Sequence, residues 1–152
     1  MQESEMVMAK AYTKETAFGA GLDTRACIWW GTLCAWDWFR NRQASSVKDA
    51  LDVCVRWYQN PTEENRAQAG QLLDTGNQSP AISMLLRAVF YTGNVAPKDC
   101  PPVNLHADMP RKMVASCLDM LLAKAPVVQR EEHVARFEQL LQEISPTSVH
   151  TN

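Results

Sequence analysis

The residues with the widest chemical scope in this sequence cluster near position 100. Cys100 and His106 stand six residues apart, with Asp99 and Asp108 beside them. A thiol, an imidazole and carboxylates are the materials of a zinc site or of a thiolate activated by a neighbouring base. Either use needs a workable spacing, and this one follows no established metal-ligand pattern. A free cysteine outside such a pattern behaves as a small apolar side chain. Cys100 and His106 are therefore expected to be structural, and their alanine variants to keep function with modest losses of stability.

The other candidates are weaker. His133 lies beside Glu131 and Glu132 on a charged segment, and His150 is among the last residues, so both read as solvated. A phosphate-binding P-loop, a dinucleotide fingerprint, an HExxH zinc motif and a GxSxG nucleophile elbow are all absent from the sequence. The five cysteines, Cys27, Cys34, Cys54, Cys100 and Cys117, are odd in number and show no tight framework spacing. That pattern argues for reduced thiols rather than a disulfide scaffold. Cys27 and Cys34 share one face of a helix, but seven residues of helical rise put them about 10 Å apart, too far for one disulfide or one zinc ion. The chain is expected to be no enzyme, with no catalytic residue, no cofactor and no metal.

Composition narrows the remaining classes. The chain has 152 residues, 46% hydrophobic and 21% charged, enough apolar material for one continuous core. Its net charge is −2, which provides no overall basic field to gather nucleic acid or anionic lipid. Arg40, Arg42, Lys48, Arg56 and Arg66 are interspersed with Asp37, Asp49, Asp52 and Glu63, so no continuous basic stripe is expected. Glu3 and Glu5 stand where a secretory signal would carry Lys or Arg. The most apolar stretch, Ala26 to Trp36, falls short of the ~20 residues of a spanning helix. The expectation is a soluble cytoplasmic protein with no nucleic-acid or membrane partner.

The elements that must position any site all read as helix. Asp23 caps a helix over 24–42. Ser45 or Ser46 starts one that ends at Asn60-Pro61, Thr62 opens a third closed by Gly76-Asn77, and Ser79-Pro80 opens a fourth running to Gly93. Two more span 110–124 and 129–144, separated by Pro126. Between 93 and 110 the helical pattern stops in a segment carrying Pro97, Pro101, Pro102 and Pro110, long for a plain connector. The fold class is all-α: a single-domain orthogonal or irregular bundle of five to seven helices with one long Pro-rich loop. The domain covers residues 1–145, loosely ordered over 1–22, and a flexible tail covers 146–152.

Five tryptophans in so short a chain are unusual, and four of them fall in the segment CIWWGTLCAWDWF. On a helical wheel Trp29, Leu33 and Trp36 form one stripe, while Cys27, Cys34 and Trp38 form another. An aromatic-rich core accounts for most of this, since a helix apolar nearly all round is usually central. The sharper expectation is that Trp36 and Trp38 reach the surface as partner anchors. Tyr91, Asn94, Val95, Pro97 and Leu105, in and beside the Pro-rich loop, are expected to join them in a protein-binding surface. Prolines lower the entropy lost when such a loop is immobilised. The competing use of Val95 and Leu105 is to lid the core.

Several strings, taken in order, resemble a little-characterised bacterial family of small helical proteins encoded in type VI secretion gene clusters. They are Ile28-Trp29-Trp30 followed by Leu33-Cys34-Ala35, then Trp57 and Asn60-Pro61 with Glu63-Glu64-Asn65-Arg66. Val89-Phe90-Tyr91-Thr92-Gly93-Asn94-Val95-Ala96-Pro97 leads into Pro101-Pro102-Val103, and Val114-Ala115 completes the set. The heavily aromatic Trp36-Asp37-Trp38-Phe39 departs from the family pattern, in which basic or small residues are common. The resemblance implies a non-enzymatic adaptor or co-chaperone. Its partner would be the larger chaperone that loads a type VI effector, in a complex that includes the effector or a PAAR-tip protein. It carries no catalytic residues with it. An immunity protein capping a toxin is the alternative of similar profile, and a small Cys/His enzyme the third.

Overall fold

The structure, a computed structural model, describes residues 22–41, 45–93 and 109–150. Among these residues six α-helices follow one another: α1 Thr24–Phe39, α2 Ser45–Gln59, α3 Glu63–Thr75, α4 Pro80–Phe90, α5 Met109–Lys124 and α6 Val127–His150. A 3-10 turn, Tyr91–Gly93, ends α4, and no strand occurs among the described residues. The protein is an all-α single-domain bundle with irregular packing.

Local chemistry explains most helix ends. Asp23, in extended conformation, accepts a hydrogen bond from the Ala26 N–H at 2.7 Å and so satisfies one orphan donor of α1. Thr62 does the same for Asn65 at 3.1 Å, ahead of the carboxylates Glu63 and Glu64, which favour the positive end of α3. Gly76 closes α3 at φ 71°, a left-handed conformation that a side chain would strain. Ser79 and Pro80 open α4 as a cap and a first helical residue without a wasted N–H. The C-terminal end of α5 is closed from outside, where Arg130 Nε of α6 donates to the carbonyls of Leu122 at 2.9 Å and Ala125 at 3.2 Å.

Several boundaries differ from the sequence expectation, above all the C-terminal ends of the first and last helices. The first helix stops at Phe39, with Arg40 as its C-terminal cap, rather than at Arg42. The last runs to His150, although Ser145-Pro146 argues for an earlier end, so the backbone over 146–150 is helical where a loose tail was expected. No capping glycine follows Ile144 to supply a stop.

Helix α1 is the centre of the bundle and packs on α2, α4, α5 and α6, while α4 packs most extensively on α5. Cys27, Ile28, Trp30, Gly31, Thr32 and Cys34 of α1 are all buried. Gly31 lets α1 approach α5 and α4 closely: a Cβ there would lie 2.8 Å from Val114 Cγ1 and 3.2 Å from Leu85 Cδ1. Gly70 plays the same part on α3, where a Cβ would meet the Phe90 ring at 2.7 Å. Trp30, Trp38 and Trp57 are core residues, together with Ile82, Leu118 and Phe137.

Candidate functional site

The thiols come first, because they would be the nucleophiles. Cys27, Cys34, Cys54 and Cys117 are free and buried. Burial pushes the Cys27 thiol up to about 11. It pushes Cys54 and Cys117 to about 12, and raises Cys34 well above the ordinary thiol range. A thiol held protonated in an apolar setting is neither a nucleophile nor a metal ligand at neutral pH. No group of three His, Cys, Asp or Glu side chains is placed to hold a metal ion among the described residues. Cys100 and His106 lie outside the described residues.

The feature with surface chemistry is one side of α1. Arg25, Trp29, Leu33, Trp36 and Arg40 succeed one another at spacings of four, four, three and four residues, so they form one line along the helix. Both arginines are exposed, Trp29 and Leu33 are half-buried, and Trp36 is 46% exposed, a large value for an indole. The neighbouring helices border this line. On the α2 side the Trp29 ring stacks on Tyr58, with centroids 4.4 Å apart and planes 9° from parallel. Arg25 Nε donates to the Tyr58 carbonyl oxygen at 2.8 Å, and its guanidinium lies 5.0 Å from the Tyr58 ring centroid. On the α6 side Arg136 Nη2 donates to Asp37 Oδ1 at 3.2 Å, and Arg136 Nη1 donates to Gln139 Oε1 at 3.1 Å. The hydrogen bond it donates to Asp37 raises the proton affinity of Arg136 further.

Trp36 and Trp38 therefore part company. Two positions on an α-helix are about 200° apart, so the side of α1 that bares one conceals the other. Trp38 is only 6% exposed and packs against His133 of α6, with ring centroids 4.6 Å apart. It is a core residue, and the expectation that it anchors a partner at the surface is corrected. His133 is correspondingly half-buried against that indole rather than free in solvent. Tyr91 is half-buried in the turn after α4 and meets Phe90 edge-on, with centroids 5.6 Å apart. That turn touches α3 and α5, whereas Trp36 stands on the side of α1 bordered by α2 and α6. Asn94, Val95, Pro97 and Leu105 lie outside the described residues.

Two arrangements escape the sequence. Arg66 of α3 is buried, 5% exposed, yet charged. Its Nε donates to Glu63 Oε2 at 2.9 Å, its Nη1 donates to the Phe90 carbonyl at 2.7 Å, and its guanidinium sits 4.7 Å from the Phe90 ring centroid. Glu63 itself is exposed, and the hydrogen bond from Arg66 lowers its pKa. The only hint in the sequence is Gly70, one turn beyond Arg66 on the same side of α3, which leaves the space the Phe90 ring fills. A second feature, an open hollow of about 320 Å³ between α2 and α3, is lined by Asp49, Val53, Arg56, Gln68, Gln71 and Leu72. Its lining mixes charges, amides and aliphatic groups without converging polar atoms on one point.

No helix of the described residues is long and apolar enough to cross a membrane. No curated protein and no solved structure matches the chain. One family model does, over residues 9–144, which takes in all of α1 to α5 and most of α6. The chain with the tryptophan-rich central helix thus belongs to DUF6931, a family of unknown function.

Proposed function

We propose that this protein is a non-catalytic binding module that engages a protein partner through the exposed line on α1. In the terms set by its motif resemblance, it is an adaptor or co-chaperone that binds an effector chaperone and supports loading of a type VI effector. The observation that carries the reading is Trp36, 46% exposed in line with the half-buried Trp29 and Leu33. The folded chain conceals Trp30, Trp38 and Trp57 and leaves this indole in water. Burying such a side chain in a partner removes a large apolar area from solvent, and Trp is enriched among the residues that dominate protein interfaces. The type VI setting rests on the resemblance of motifs alone.

The test is a pull-down from native cytoplasm with the wild-type chain and Trp36→Ala, followed by affinity measurement with the partner identified. Trp36→Ala is expected to keep its melting temperature and to lose about 2 kcal/mol of binding, roughly 30-fold in Kd. A Trp36→Ala variant that retains its partner at wild-type affinity would sink the proposal. Capture of nothing related to effector loading would remove the type VI assignment while leaving the binding surface open to the same measurement.

A further inference from the structure

The charges on the α1 line say what kind of partner segment it fits. The line begins at Arg25 and ends at Arg40, both exposed, with Trp29, Leu33 and Trp36 between them. Fifteen residues of helical rise place the two arginine positions about 22 Å apart. Asp37, beside the line, is paired with Arg136 at 3.2 Å, so it offsets a cation already present rather than those at the ends. A chain of net charge −2 therefore carries a local pattern of cation, apolar ridge, cation. We infer that this surface receives an amphipathic helix of a partner protein. The apolar side chains of that helix cover Trp29, Leu33 and Trp36, and carboxylates near its two ends face Arg25 and Arg40. The inference rests on the binding role proposed above and adds the chemistry of the partner.

A helix is the occupant that the geometry favours. The line is straight and about four turns long, and it runs between α2, which stacks Tyr58 on Trp29, and α6, which holds Asp37 through Arg136. A helix laid along it completes the ring of helices that α1 already has on its other sides. Carboxylates at matched distances give register and exclude basic segments, because like charges brought together are penalised. An anionic membrane surface is the less favoured occupant. Only one indole of the line is strongly exposed, and the net negative charge of the chain opposes approach to anionic lipid.

The test uses the full chain and two synthetic helical peptides of about 19 residues with the same leucine stripe, one ending in glutamates and the other in lysines. Binding is read by calorimetry, and the melting temperature of every variant is recorded. At about 50 mM salt the glutamate-ended peptide is expected to bind about tenfold tighter than the lysine-ended one, and most of that preference should vanish near 300 mM. Arg40→Glu, at an exposed position, leaves one cation and one anion on the line and should erase most of the difference between the two peptides without changing the melting temperature. Trp36→Ala should abolish binding of both.

Equal affinity for the two peptides, with loss of both in Trp36→Ala, overturns the acidic-helix inference and leaves the binding role standing. Peptide binding that Trp36→Ala does not disturb overturns both. Failure of both peptides to bind overturns the inference, and the pull-down with Trp36→Ala then decides the binding role by itself. Trp36-dependent binding to phosphatidylserine vesicles, or a Trp36-dependent dimer in sedimentation, would replace the partner helix with a membrane or a second copy and likewise overturn it.

Discussion

The indole N–H of Trp30 donates to the main-chain carbonyl of Phe137 at 2.8 Å, both residues being buried. This single bond ties the centre of α1 to the middle of α6, across 107 residues of sequence. It also explains why a polar-edged aromatic is tolerated at 3% exposure: its one donor has an acceptor. Trp30→Phe removes the donor and some ring volume while keeping an aromatic. The expected cost is about 2 kcal/mol, from a lost buried hydrogen bond and a partial cavity. Thermal unfolding should then begin roughly 6 °C lower.

Gly31→Ala sets two effects against each other. Alanine gains about 1 kcal/mol of helix propensity. Its methyl would lie 2.8 Å from Val114 Cγ1, and the branched valine has little freedom to turn away. Overpacking of this kind costs typically 1–3 kcal/mol, so the net effect is expected to be a loss of about 1 kcal/mol. Denaturant titration of Gly31→Ala, Val114→Ala and the double variant checks the cause. The double variant should be more stable than the sum of the single losses, by about 0.5 kcal/mol or more.

The buried thiols make alkaline stability predictable in sign. Cys27 is raised to about 11 and Cys54 and Cys117 to about 12, in each case mainly by burial, against an ordinary value of 9.0. The unfolded chain therefore releases these protons first as pH rises. The contribution is whole below pH 9 and is lost progressively as pH climbs from 9 towards 11–12. Urea unfolding between pH 8 and pH 11 should show the free energy of unfolding falling across that window. In the native protein near pH 8, mass mapping after iodoacetamide should find Cys27, Cys34, Cys54 and Cys117 unmodified. In concentrated guanidinium all four should label.

Arg66 should matter more than its ion-pair partner. Its guanidinium is enclosed and bonded to the Phe90 carbonyl at 2.7 Å, so Arg66→Ala leaves a cavity and a carbonyl without that donor. A loss of about 2 kcal/mol is expected in chemical denaturation. Glu63→Gln should change stability far less, because Glu63 is in solvent. The pKa of Glu63 is lowered by the hydrogen bond from Arg66, so the pair contributes above the ordinary carboxylate pKa of 4.5 and fades as pH falls below it. If the two variants lose stability equally, the enclosed position of Arg66 is not what counts.

Much of the fold was legible in the sequence because the signals are local. Asp23, Thr62, Ser79 and Gly76 act on partners within three residues along the chain, and each ends or begins a helix whatever the rest of the protein does. The 3.6-residue pattern likewise announced α2 and α4, which bury one side and wet the other. The candidate surface was legible only in outline. Trp29, Leu33 and Trp36 share a stripe by spacing alone, so their alignment needed no structure.

Which of the α1 tryptophans meets water was decided by tertiary packing. Helix α1 is apolar nearly all round, so its own sequence contains no preferred direction. The gap between α2 and α6 falls on Trp36, and Trp38, about 200° away, is enclosed against His133. Arg66 is hidden for the same reason. A charged residue in an unremarkable helical stretch became a core side chain once the Phe90 ring seated itself against Gly70 and brought a carbonyl within reach. Local sequence determines where helices start and stop because hydrogen bonds to backbone ends span a turn. Exposure is a property of the neighbours, and those are set by packing between residues far apart in the chain.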